Sequence, residues 1–431
     1  MTLLPTQEQD PRILLVSHNF PPTIGPESYL VNLNALALRR AGMDVTVLTT
    51  SHEFRHTRQK LDEAPLKSLP QEIKVLRTPS YDAWLKDSFP RVGGLSVKLL
   101  ESTVLPESYF MWLPTAVPAG LQHLQSQPSI IYSRAQKHVS NVCGWRLKRL
   151  TGLPWVAHFS DIWLNHYLTS PLIRGIARAL ERRILRDADK VVFVTQRAVD
   201  IILPQYPAEW KEKVVVIPHG YQRSVPTQPL TTPGKGPLRL IHAGVFYPRM
   251  RTPETLFRAI QKLHLQRPLQ GRLQLTLLGD QSDEYQHLAD TLGIRDLVEF
   301  KPSVPHTQCQ ELIARSDLPV MIDTLGHGGV FLPSKLIEYF AFQKPVLAIT
   351  ETDSAVSLIL KDCGLPVADM MDSDQTAGVL GNFLAQWESG QWALSQATAS
   401  KMAGYQIDQV NEPLFGIMRD LWQGFRATQI R

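Results

Sequence analysis

The sequence predicts an α/β protein made of two successive parallel sheets with crossover helices. Short apolar runs alternate with helical patterns along nearly all of the 431 residues, an alternation typical of βαβ units. A single core rarely extends beyond about 250–300 residues, so the length favours two domains. One Pro- and Gly-rich stretch, at 218–237, interrupts the series and reads as a linker. We therefore predict two Rossmann-like domains facing one another across a cleft, with ligands bound beyond the carboxyl ends of the strands.

The first domain is predicted to span residues 1–225. Its first strand, RILLVS at 12–17, is followed by a helical pattern over 27–41 and by Gly42 as a helix stop. Further predicted strands are DVTVLTT (44–50), IKVLRT (73–78), SIIYS (129–133), PWVAHF (154–159), KVVFVT (190–195) and KVVVIP (213–218).

The second domain is predicted to span residues 226–405, where the same alternation restarts. We expect the remaining residues, 406–431, to form a helix that packs back on the first domain. The predicted strands are LRLIHAG (238–244), RLQLTLLGD (272–280), LVEFKPS (297–303), DLPVMID (317–323) and KPVLAIT (344–350), with helices such as 253–264 and 307–316 between them.

Composition narrows the class of protein. The chain is 43% hydrophobic and 20% charged, as in ordinary globular proteins. It has no apolar run of about 18 residues that could cross a membrane, and its start lacks the pattern of a secretory signal. The cysteines, Cys143, Cys309 and Cys363, are too far apart for a zinc cluster. We therefore expect a cytoplasmic protein.

Charge is distributed unevenly along the chain. Residues 1–225 hold 27 Lys and Arg against 19 Asp and Glu, whereas the remainder holds 18 against 21. This basic half predicts an anionic partner, and a membrane surface or a phosphorylated acceptor is favoured over nucleic acid, for which no binding motif is present. The arginine-rich helix predicted within 171–190 is either an ordinary solvated helix, which we favour, or a docking face for anionic lipid at the inner side of the membrane.

The stretch FLPSKLIEYFAFQKPVLAIT places polar residues at the start of a helix that follows a buried strand. Ser334 is predicted to be the N-cap, and Lys335 adds a positive charge at a helix end that already favours anions. Glu338, one turn further on, suits the hydroxyl groups of a sugar. Taken singly, Ser334 could be only a cap and Lys335 only a solvated side chain. Taken together, they predict a pocket for a nucleoside diphosphate.

Two neighbouring segments add to this predicted pocket. Gly328 and Gly329, in the loop before the helix, allow the backbone to approach a ligand closely. Gly244 ends the first strand of the domain, and Arg249 and Arg251 follow it. Arginine binds phosphate oxygens in a bidentate manner, and we favour Arg251 because it lies immediately before a helix. The alternative is that both arginines are loop surface.

Polar residues also occur near predicted strand ends in the first domain. His158 and Asp161 lie in VAHFSDIW, and Arg134 lies in YSRAQKH. A histidine next to an apolar strand is commonly a hydrogen-bonded core residue, so His158 has both a structural and a catalytic interpretation. Arg134 is a candidate for binding a phosphate of the acceptor.

The chain resembles the retaining GT-B glycosyltransferases of family 4 (glycosyl transferases group 1), of the Pro-Ser-Lys-x-x-Glu subgroup. FLPSKLIEYFAFQKPVLAI and the glycine, arginine and TPETL arrangement are similar to the donor-binding motifs of that family. RILLVSHNFPPTIGPESYLVNLNALALRRAGMDVTVLTT is similar to its acceptor-side opening, and LKRLTGLPWVAHFSDIW, DADKVVFVTQRAVDIIL and VVVIPHGY resemble later segments. The resemblance extends from about residue 12 to 390.

The resemblance implies a role for individual residues. Ser334 and Lys335 would contact the donor diphosphate, Glu338 the ribose and Arg251 a phosphate. It also implies that Gly25 lies in a loop near the donor and acceptor, and that His158 and Asp161 face the transferred sugar. The catalytic group would thus comprise His158, Asp161, Arg251 and Lys335.

Three positions depart from the family pattern. Val330 stands where relatives often carry a first glutamate, GPES has a single glycine where a pair is usual, and Ser160 replaces an arginine before Asp161. Val330 puts contacts to the transferred sugar in doubt, and Ser160 does the same for the role of its loop.

The resemblance implies that a sugar moves from a nucleotide-diphosphate sugar to an acceptor hydroxyl with retention of configuration and without a metal. The acceptor would be lipid-linked or a saccharide, in bacterial polysaccharide or glycolipid synthesis, with peripheral membrane contact. A catalytically silent partner subunit is the alternative. A nicotinamide oxidoreductase is disfavoured, because the first strand lacks the glycine fingerprint of that class.

Overall fold

The computed structural model describes residues 10–51, 61–82, 107–163, 170–222, 232–279, 282–326 and 329–429. The chain divides into two compact units. The first unit comprises the chain up to Gly220 together with the residues from Ile407 onward, and the second unit runs from Tyr221 to Gln406.

Within its described residues, the first unit contains a seven-stranded parallel sheet in the order β3-β2-β1-β4-β5-β6-β7. The strand order reverses between β1 and β4, where Val16 pairs with Ser133. The strands are β1 (Arg12–Val16), β2 (Asp44–Thr50), β3 (Lys74–Thr78), β4 (Ile130–Ala135), β5 (Trp155–Phe159), β6 (Lys190–Phe193) and β7 (Val214–Val216).

Helices follow most of these strands, as the crossover of parallel strands requires. They are α1 (Pro26–Arg40), α2 (Ala64–Lys67), α3 (Leu113–Ser126), α4 (Val139–Thr151), α5 (Pro171–Asp187) and α6 (Gln196–Ile202), with 3₁₀ turns at Ser108–Trp112, Leu203–Gln205 and Ala208–Lys213. The central strands β4 and β5 are buried at every residue because both faces of the sheet are covered.

The second unit repeats this plan on a smaller scale. Its described residues form a six-stranded parallel sheet in the order β10-β9-β8-β11-β12-β13, which reverses between β8 and β11. The strands are β8 (Leu238–Ala243), β9 (Leu273–Leu278), β10 (Val298–Lys301), β11 (Leu318–Ile322), β12 (Leu347–Thr350) and β13 (Val367–Asp369). The helices are α7 (Glu254–Gln266), α8 (Asp283–Thr291), α9 (His306–Arg315), α10 (Ser334–Phe340), α11 (Ala355–Asp362), α12 (Ser373–Glu388) and α13 (Gln396–Ala403), with a 3₁₀ turn at Arg295–Leu297.

The end of the chain belongs to the first unit. Helices α14 (Ile407–Val410) and α15 (Glu412–Gln429) follow the second unit. Leu414, Phe415 and Met418 are buried in the core that surrounds β1 and α1. Arg40 of α1 donates to Asp408 of α14 at 2.7 Å. This ion pair adds a polar contact to the apolar packing of the chain end.

The predicted fold class is confirmed, because both units are α/β domains of Rossmann-like type. The apolar runs predicted as strands are strands, and β13 is an additional short strand that was not predicted. Among the helices that the structure describes, none combines the length and the hydropathy needed to cross a membrane.

Candidate active site

The carboxyl end of β8 brings Gly244 under the side chain of Lys335 from α10. A methyl group placed on Gly244 would lie 2.1 Å from Lys335 Nζ, so the amino group occupies the space that a larger residue would fill. Helix α10 is held there because the Tyr339 hydroxyl accepts a hydrogen bond from the backbone N–H of Ala243 at 3.3 Å. The sequence thus brings two predicted donor-site residues into contact.

Lys335 is a partly buried cation without a counter-ion contact. Within the described part of the chain its Nζ donates to no acceptor. Burial, followed by the nearby positive charge of Arg251, lowers the pKa of Lys335 to about 8. Both effects disfavour the ammonium ion, and an anionic ligand would reverse both. An arrangement of this kind is typical of functional sites rather than of stabilising ion pairs.

Arg251 contributes a second cation to this region. Its Nη2 donates to Thr324 Oγ1 at 2.6 Å, and its guanidinium lies 5.7 Å from the centre of the Tyr247 ring. Among the described residues, its buried Nε has no hydrogen-bond partner. Arg249, the other predicted arginine, is exposed on the same loop with a positive φ of 67°. Arg251 is therefore the better placed of the two.

His242, which sequence reasoning did not select, lies in β8 beside Gly244. Its Nδ1 lies 3.0 Å from the carbonyl oxygen of Val320, which can only accept, so Nδ1 carries the proton. The buried Nε2 lacks a hydrogen-bond partner among the described residues. Burial and the charge of Lys335 lower the pKa of His242 to about 3. His242 therefore offers a neutral acceptor nitrogen, which suits a ligand hydroxyl.

One expectation about α10, the identity of its N-cap, is wrong. Ser334 is not the N-cap: Pro333 occupies that position, Ser334 is the first helical residue, and no side chain caps the helix. Proline has no side-chain acceptor for the first N–H groups of the helix, which explains why the helix start lacks a side-chain cap. Glu338 is partly buried and its Oε2 lies 3.3 Å from His306 Nε2 of α9. His306 was also missed, because it is 32 residues from Glu338 in the sequence.

The loop before α10 is fixed by a buried polar network. Thr350 donates to the carboxylate of Asp323 at 2.7 Å, and the backbone N–H of Thr324 donates to the other oxygen at 2.8 Å. Gly329 packs against Ser354, where a methyl group would lie 2.6 Å from the Ser354 Cα. Gly329 is thus required for close backbone packing. The predicted Gly328 lies outside the described residues.

In the first unit, Arg134, the candidate for binding an acceptor phosphate, is buried inside β4 with 1% of its surface accessible. Its Nε donates to Glu27 at 3.1 Å, its Nη1 to His158 at 3.1 Å and its Nη2 to His219 at 3.3 Å. These partners satisfy the guanidinium. The side chain is therefore unavailable to an acceptor phosphate in this structure.

His158 lies within β5 rather than beyond it. Its Nε2 and Nδ1 lie 3.1 and 3.4 Å from Arg134 Nη1, and its Nδ1 lies 2.8 Å from the Tyr132 hydroxyl. Burial and then the charge of Arg134 hold the pKa of His158 well below its ordinary value. This histidine is a neutral member of the buried network.

Asp161 and Gly25 are both close to Glu27, a member of the same buried network. Gly25 precedes α1, whose second residue, Glu27, accepts from Ser160 at 3.3 Å as well as from Arg134. Burial raises the pKa of Glu27 despite Arg134. Burial and then the charge of Glu27 raise the pKa of Asp161 to about 7. Glu27 escaped prediction because an acidic residue in the first turn of a helix is ordinary.

The acidic DSD sequence at 372–374 lies at the start of a helix. The carboxylate of Asp372 accepts from the backbone N–H groups of Asp374 and Gln375 at 2.8 and 2.9 Å, as the N-cap of α12. Across the residues described, no group of three or more metal-ligating side chains is placed to bind an ion.

Comparisons with known proteins agree with this arrangement. The sequence profile of the glycosyl transferase 4-like domain matches residues 25–220, and that of glycosyl transferases group 1 matches residues 232–389. No curated protein sequence gives a significant match.

Solved structures share the fold over most of this chain. Sucrose-phosphate synthase from Thermosynechococcus elongatus is 16% identical with a TM-score of 0.66, covering 96% of this chain and 100% of that one. A glycosyltransferase from Rickettsia africae is 12% identical with a TM-score of 0.63, covering 96% and 99%. A trehalose-6-phosphate protein from E. coli, bound with UDP-2-fluoro glucose, is 13% identical with a TM-score of 0.61, covering 95% and 99%. The chain therefore belongs to the glycosyltransferases of the GT-B type, with a glycosyl transferase 4-like domain followed by a glycosyl transferases group 1 domain.

Proposed function

We propose that this glycosyltransferase takes its sugar from a nucleoside-diphosphate sugar bound at the carboxyl end of β8. The observation that carries the proposal is the amino group of Lys335, partly buried above Gly244 beside Arg251 and without an acceptor among the described residues. Two cations so placed repel each other unless an anion lies between them. The E. coli protein bound with UDP-2-fluoro glucose supports a nucleotide sugar as that anion.

The proposed chemistry follows from the charge that develops on the donor. Cleavage of the sugar–phosphate bond places negative charge on the departing diphosphate, and fixed cations stabilise it in the transition state. Lys335 and Arg251 supply that charge, so we expect no metal requirement. Glu338 accepts from the ribose hydroxyls, and the neutral Nε2 of His242 accepts from a hydroxyl of the donor.

We further propose that the configuration of the sugar is retained. The departing phosphate takes the proton of the acceptor hydroxyl as the acceptor adds to the same face of the sugar. The resemblance to the retaining enzymes of family 4 supports this step. The measurement is the NMR coupling constant of the anomeric proton in the product, compared with that of the donor. Inversion of the anomeric configuration would contradict retention without affecting the proposed donor site.

A thermal-shift panel of UDP, GDP and ADP with their sugar derivatives tests the donor site. We expect one nucleotide family to raise the melting temperature, because a ligand that binds the folded state stabilises it. Lys335→Met retains the aliphatic chain and should abolish that rise. The matched control is Lys235→Met, since Lys235 is exposed at the opposite, amino end of β8. An unchanged shift in Lys335→Met would refute the site.

Gly244→Ala provides a second, independent test of the same geometry. The added methyl would displace the Lys335 amino group from its place above Gly244, so nucleotide affinity should fall although both cations remain. Gly378→Ala is the control, because that exposed helical glycine has nothing within 4 Å of an added methyl. Equal nucleotide affinity in Gly244→Ala and Gly378→Ala would mean that nucleotide binding does not depend on the observed position of the Lys335 amino group.

A catalytically silent partner subunit remains the alternative function. Val330, buried where relatives often carry a glutamate, is the observation that favours it. Turnover discriminates the two: an enzyme releases nucleoside diphosphate from its sugar nucleotide when acceptor is present. A silent subunit binds the same nucleotide without releasing product.

We also propose that the protein acts at the inner face of a membrane, in bacterial polysaccharide or glycolipid synthesis with a lipid-linked or saccharide acceptor. The supporting feature is the surface of α5, whose two acidic residues already have partners: Glu181 is buried and accepts from the Tyr206 hydroxyl at 2.7 Å, and Asp187 accepts from Arg186 at 2.7 Å. Leu172 is 63% exposed beside these charges. The exposed arginines of the helix are Arg174, Arg178, Arg182, Arg183 and Arg186.

Vesicle co-sedimentation tests this membrane contact. The protein should sediment with phosphatidylglycerol vesicles and not with phosphatidylcholine vesicles, and salt should weaken the binding. The double variant Arg174→Glu and Arg178→Glu should lose it. The control carries the same charge change at Lys235 and Arg315, both exposed in the second unit. Equal sedimentation of the two double variants would exclude α5 as the contact.

A further inference from the structure

A cluster of aromatic and polar side chains lies at the carboxyl ends of β1, β4 and β5 in the first unit. His18 follows β1, Lys137 and His138 follow β4, and Trp163 follows β5. The neighbouring 3₁₀ turn adds Tyr109, whose ring centre lies 4.8 Å from that of His18. The strand order reverses between β1 and β4, and ligands of doubly wound sheets bind at such a reversal.

Lys137 is the cation of this cluster that remains available. Its Nζ lies 4.2 Å from the centre of the Tyr109 ring, and it reaches no hydrogen-bond acceptor within the described ranges. It is partly exposed. Arg134, by contrast, is buried and bound to Glu27, His158 and His219. An anion that approaches these strand ends therefore meets Lys137 rather than Arg134.

Asp161 is the acceptor group of the cluster. Its carboxyl group makes no hydrogen bond to any described residue, although the charge of Lys137 acts on it. Burial and then the negative charge of Glu27 raise the pKa of Asp161 to about 7, because both disfavour the carboxylate form. A sugar hydroxyl would supply one.

Two buried ring nitrogens of the same cluster also lack partners. His138 and Trp163 stack with their ring centres 4.8 Å apart and an interplanar angle of 13°. The described residues offer no hydrogen bond to His138 Nδ1 or Trp163 Nε1. The large majority of buried side-chain polar atoms have a hydrogen-bond partner, so two such exceptions in one stacked pair call for a functional explanation. Aromatic faces edged by polar atoms suit a saccharide, whose rings have apolar faces and hydroxyl edges.

We propose that Tyr109, Lys137, Asp161 and Trp163 bind the acceptor and that the acceptor is a phosphorylated saccharide. Lys137 binds the phosphate, Asp161 accepts from a hydroxyl, and Tyr109 and Trp163 contact the sugar ring. This inference rests on the proposed glycosyl transfer and specifies its second substrate. A free sugar phosphate and a lipid-linked sugar diphosphate share the required chemistry.

Titration calorimetry on the full chain saturated with its nucleotide tests the inference. The probes are glucose 1-phosphate, N-acetylglucosamine 1-phosphate, farnesyl-diphosphate N-acetylglucosamine in detergent, and the two neutral parent sugars. At least one phosphorylated probe should bind about tenfold or more tightly than its neutral parent, as a charge-assisted hydrogen bond allows. Binding of the free sugar phosphates identifies a soluble acceptor, and binding of the farnesyl compound alone identifies a lipid-linked one.

Variants separate this site from the donor site. Lys137→Met should remove the preference for the phosphorylated probe, and Tyr109→Ala should weaken binding of phosphorylated and neutral sugars alike. Lys211→Met, at an exposed lysine of the same unit, should change neither. The thermal shift produced by nucleotide should persist in all three variants, so failure here is distinct from failure at Lys335. Equal affinity for neutral and phosphorylated sugars, or a preference that survives Lys137→Met, overturns the proposal, as does the absence of binding by every phosphorylated probe.

Discussion

At the scale of single residues, Arg134 and Lys335 differ in what their charges do. The charge of Arg134 is paired within the fold, whereas the charge of Lys335 has no partner in the described chain and is available to a ligand. The guanidinium of Arg134 has three protein partners within 3.3 Å. The ammonium group of Lys335 has no acceptor in the described chain and lies near Arg251. Arrangements that leave a buried cation unpaired lower stability and commonly persist because function requires them.

The pKa of Lys335 gives a pH prediction with a definite sign. Its folded-state pKa is about 8, below its ordinary value of 10.5, so the unfolded chain binds more protons between these values. Stability of the ligand-free protein should therefore rise across this window, as the penalty for the buried ammonium group is relieved. Nucleotide affinity should fall by up to about tenfold per pH unit above pH 8, because binding needs the protonated amine.

Denaturant unfolding and calorimetry at pH 7 to 10, in wild type and Lys335→Met, measure both effects. The variant lacks the titrating group, so this rise in stability and this fall in affinity should both disappear from it. Identical pH profiles in the two proteins would show that Lys335 keeps an ordinary pKa and lies outside the binding site.

Arg134, unlike Lys335, should stabilise the folded protein, because its charge is paired. Arg134→Met leaves Glu27 buried without its partner and should lower the free energy of unfolding by about 3–5 kcal/mol. The double variant Arg134→Met and Glu27→Leu removes both charges and should recover part of that loss. Urea unfolding measures the three proteins. A loss of less than about 1 kcal/mol in the single variant would mean that the pair behaves like a surface contact.

At the scale of elements, the features that depend on residues nearby in the chain, such as strands and helix starts, can be predicted from the sequence. The strands were found from apolar runs and the helix starts from local residue types, because both signals lie within a few positions. Ser334 shows the limit: Pro333, one position earlier, occupies the N-cap. Such one-residue differences at helix ends are common, since caps depend on the geometry of the incoming loop.

Contacts between distant elements could not be predicted in this way. Arg134 and Glu27 are 107 positions apart, and Arg251 and Thr324 are 73 apart. The sequence identified Arg134 as polar and near a strand end but could not show that Glu27 faces it. The same limit concealed His242 and His306, whose relevance comes only from the side chains that the fold places beside them.

The N-cap of α12 permits a prediction at this scale. Asp372→Ala removes the side-chain acceptor for two backbone N–H groups and should lower the free energy of unfolding by about 0.5–2 kcal/mol. Nucleotide binding should be unchanged, because the role of Asp372 is structural. Asp372→Asn retains an acceptor oxygen and serves as the matched control. Loss of nucleotide binding with unchanged stability would instead assign this residue to a ligand.

At the scale of the whole molecule, the chain leaves the first unit after Gly220 and returns to it at Ile407. The return is a structural requirement of the first unit, because Leu414, Phe415 and Met418 lie in its core. Asn411 adds a buried hydrogen bond from its Nδ2 to Asn34 Oδ1 at 3.2 Å. Folding of the first unit therefore needs residues that are separated from it by an entire second unit.

This discontinuity predicts an asymmetric response to changes near the end of the chain. Leu414→Ala creates a cavity in the first unit and should cost about 2–5 kcal/mol, while Gly424→Ala, at a helical position with nothing within 4 Å of an added methyl, should cost nothing. Hydrogen exchange by mass spectrometry locates the effect: in Leu414→Ala, β1, β2 and α1 should exchange faster, although they precede the substitution by more than 350 positions. The strands of the second unit should keep their protection and their response to nucleotide. Faster exchange confined to α15 would mean that this helix is only a surface addition to the first unit.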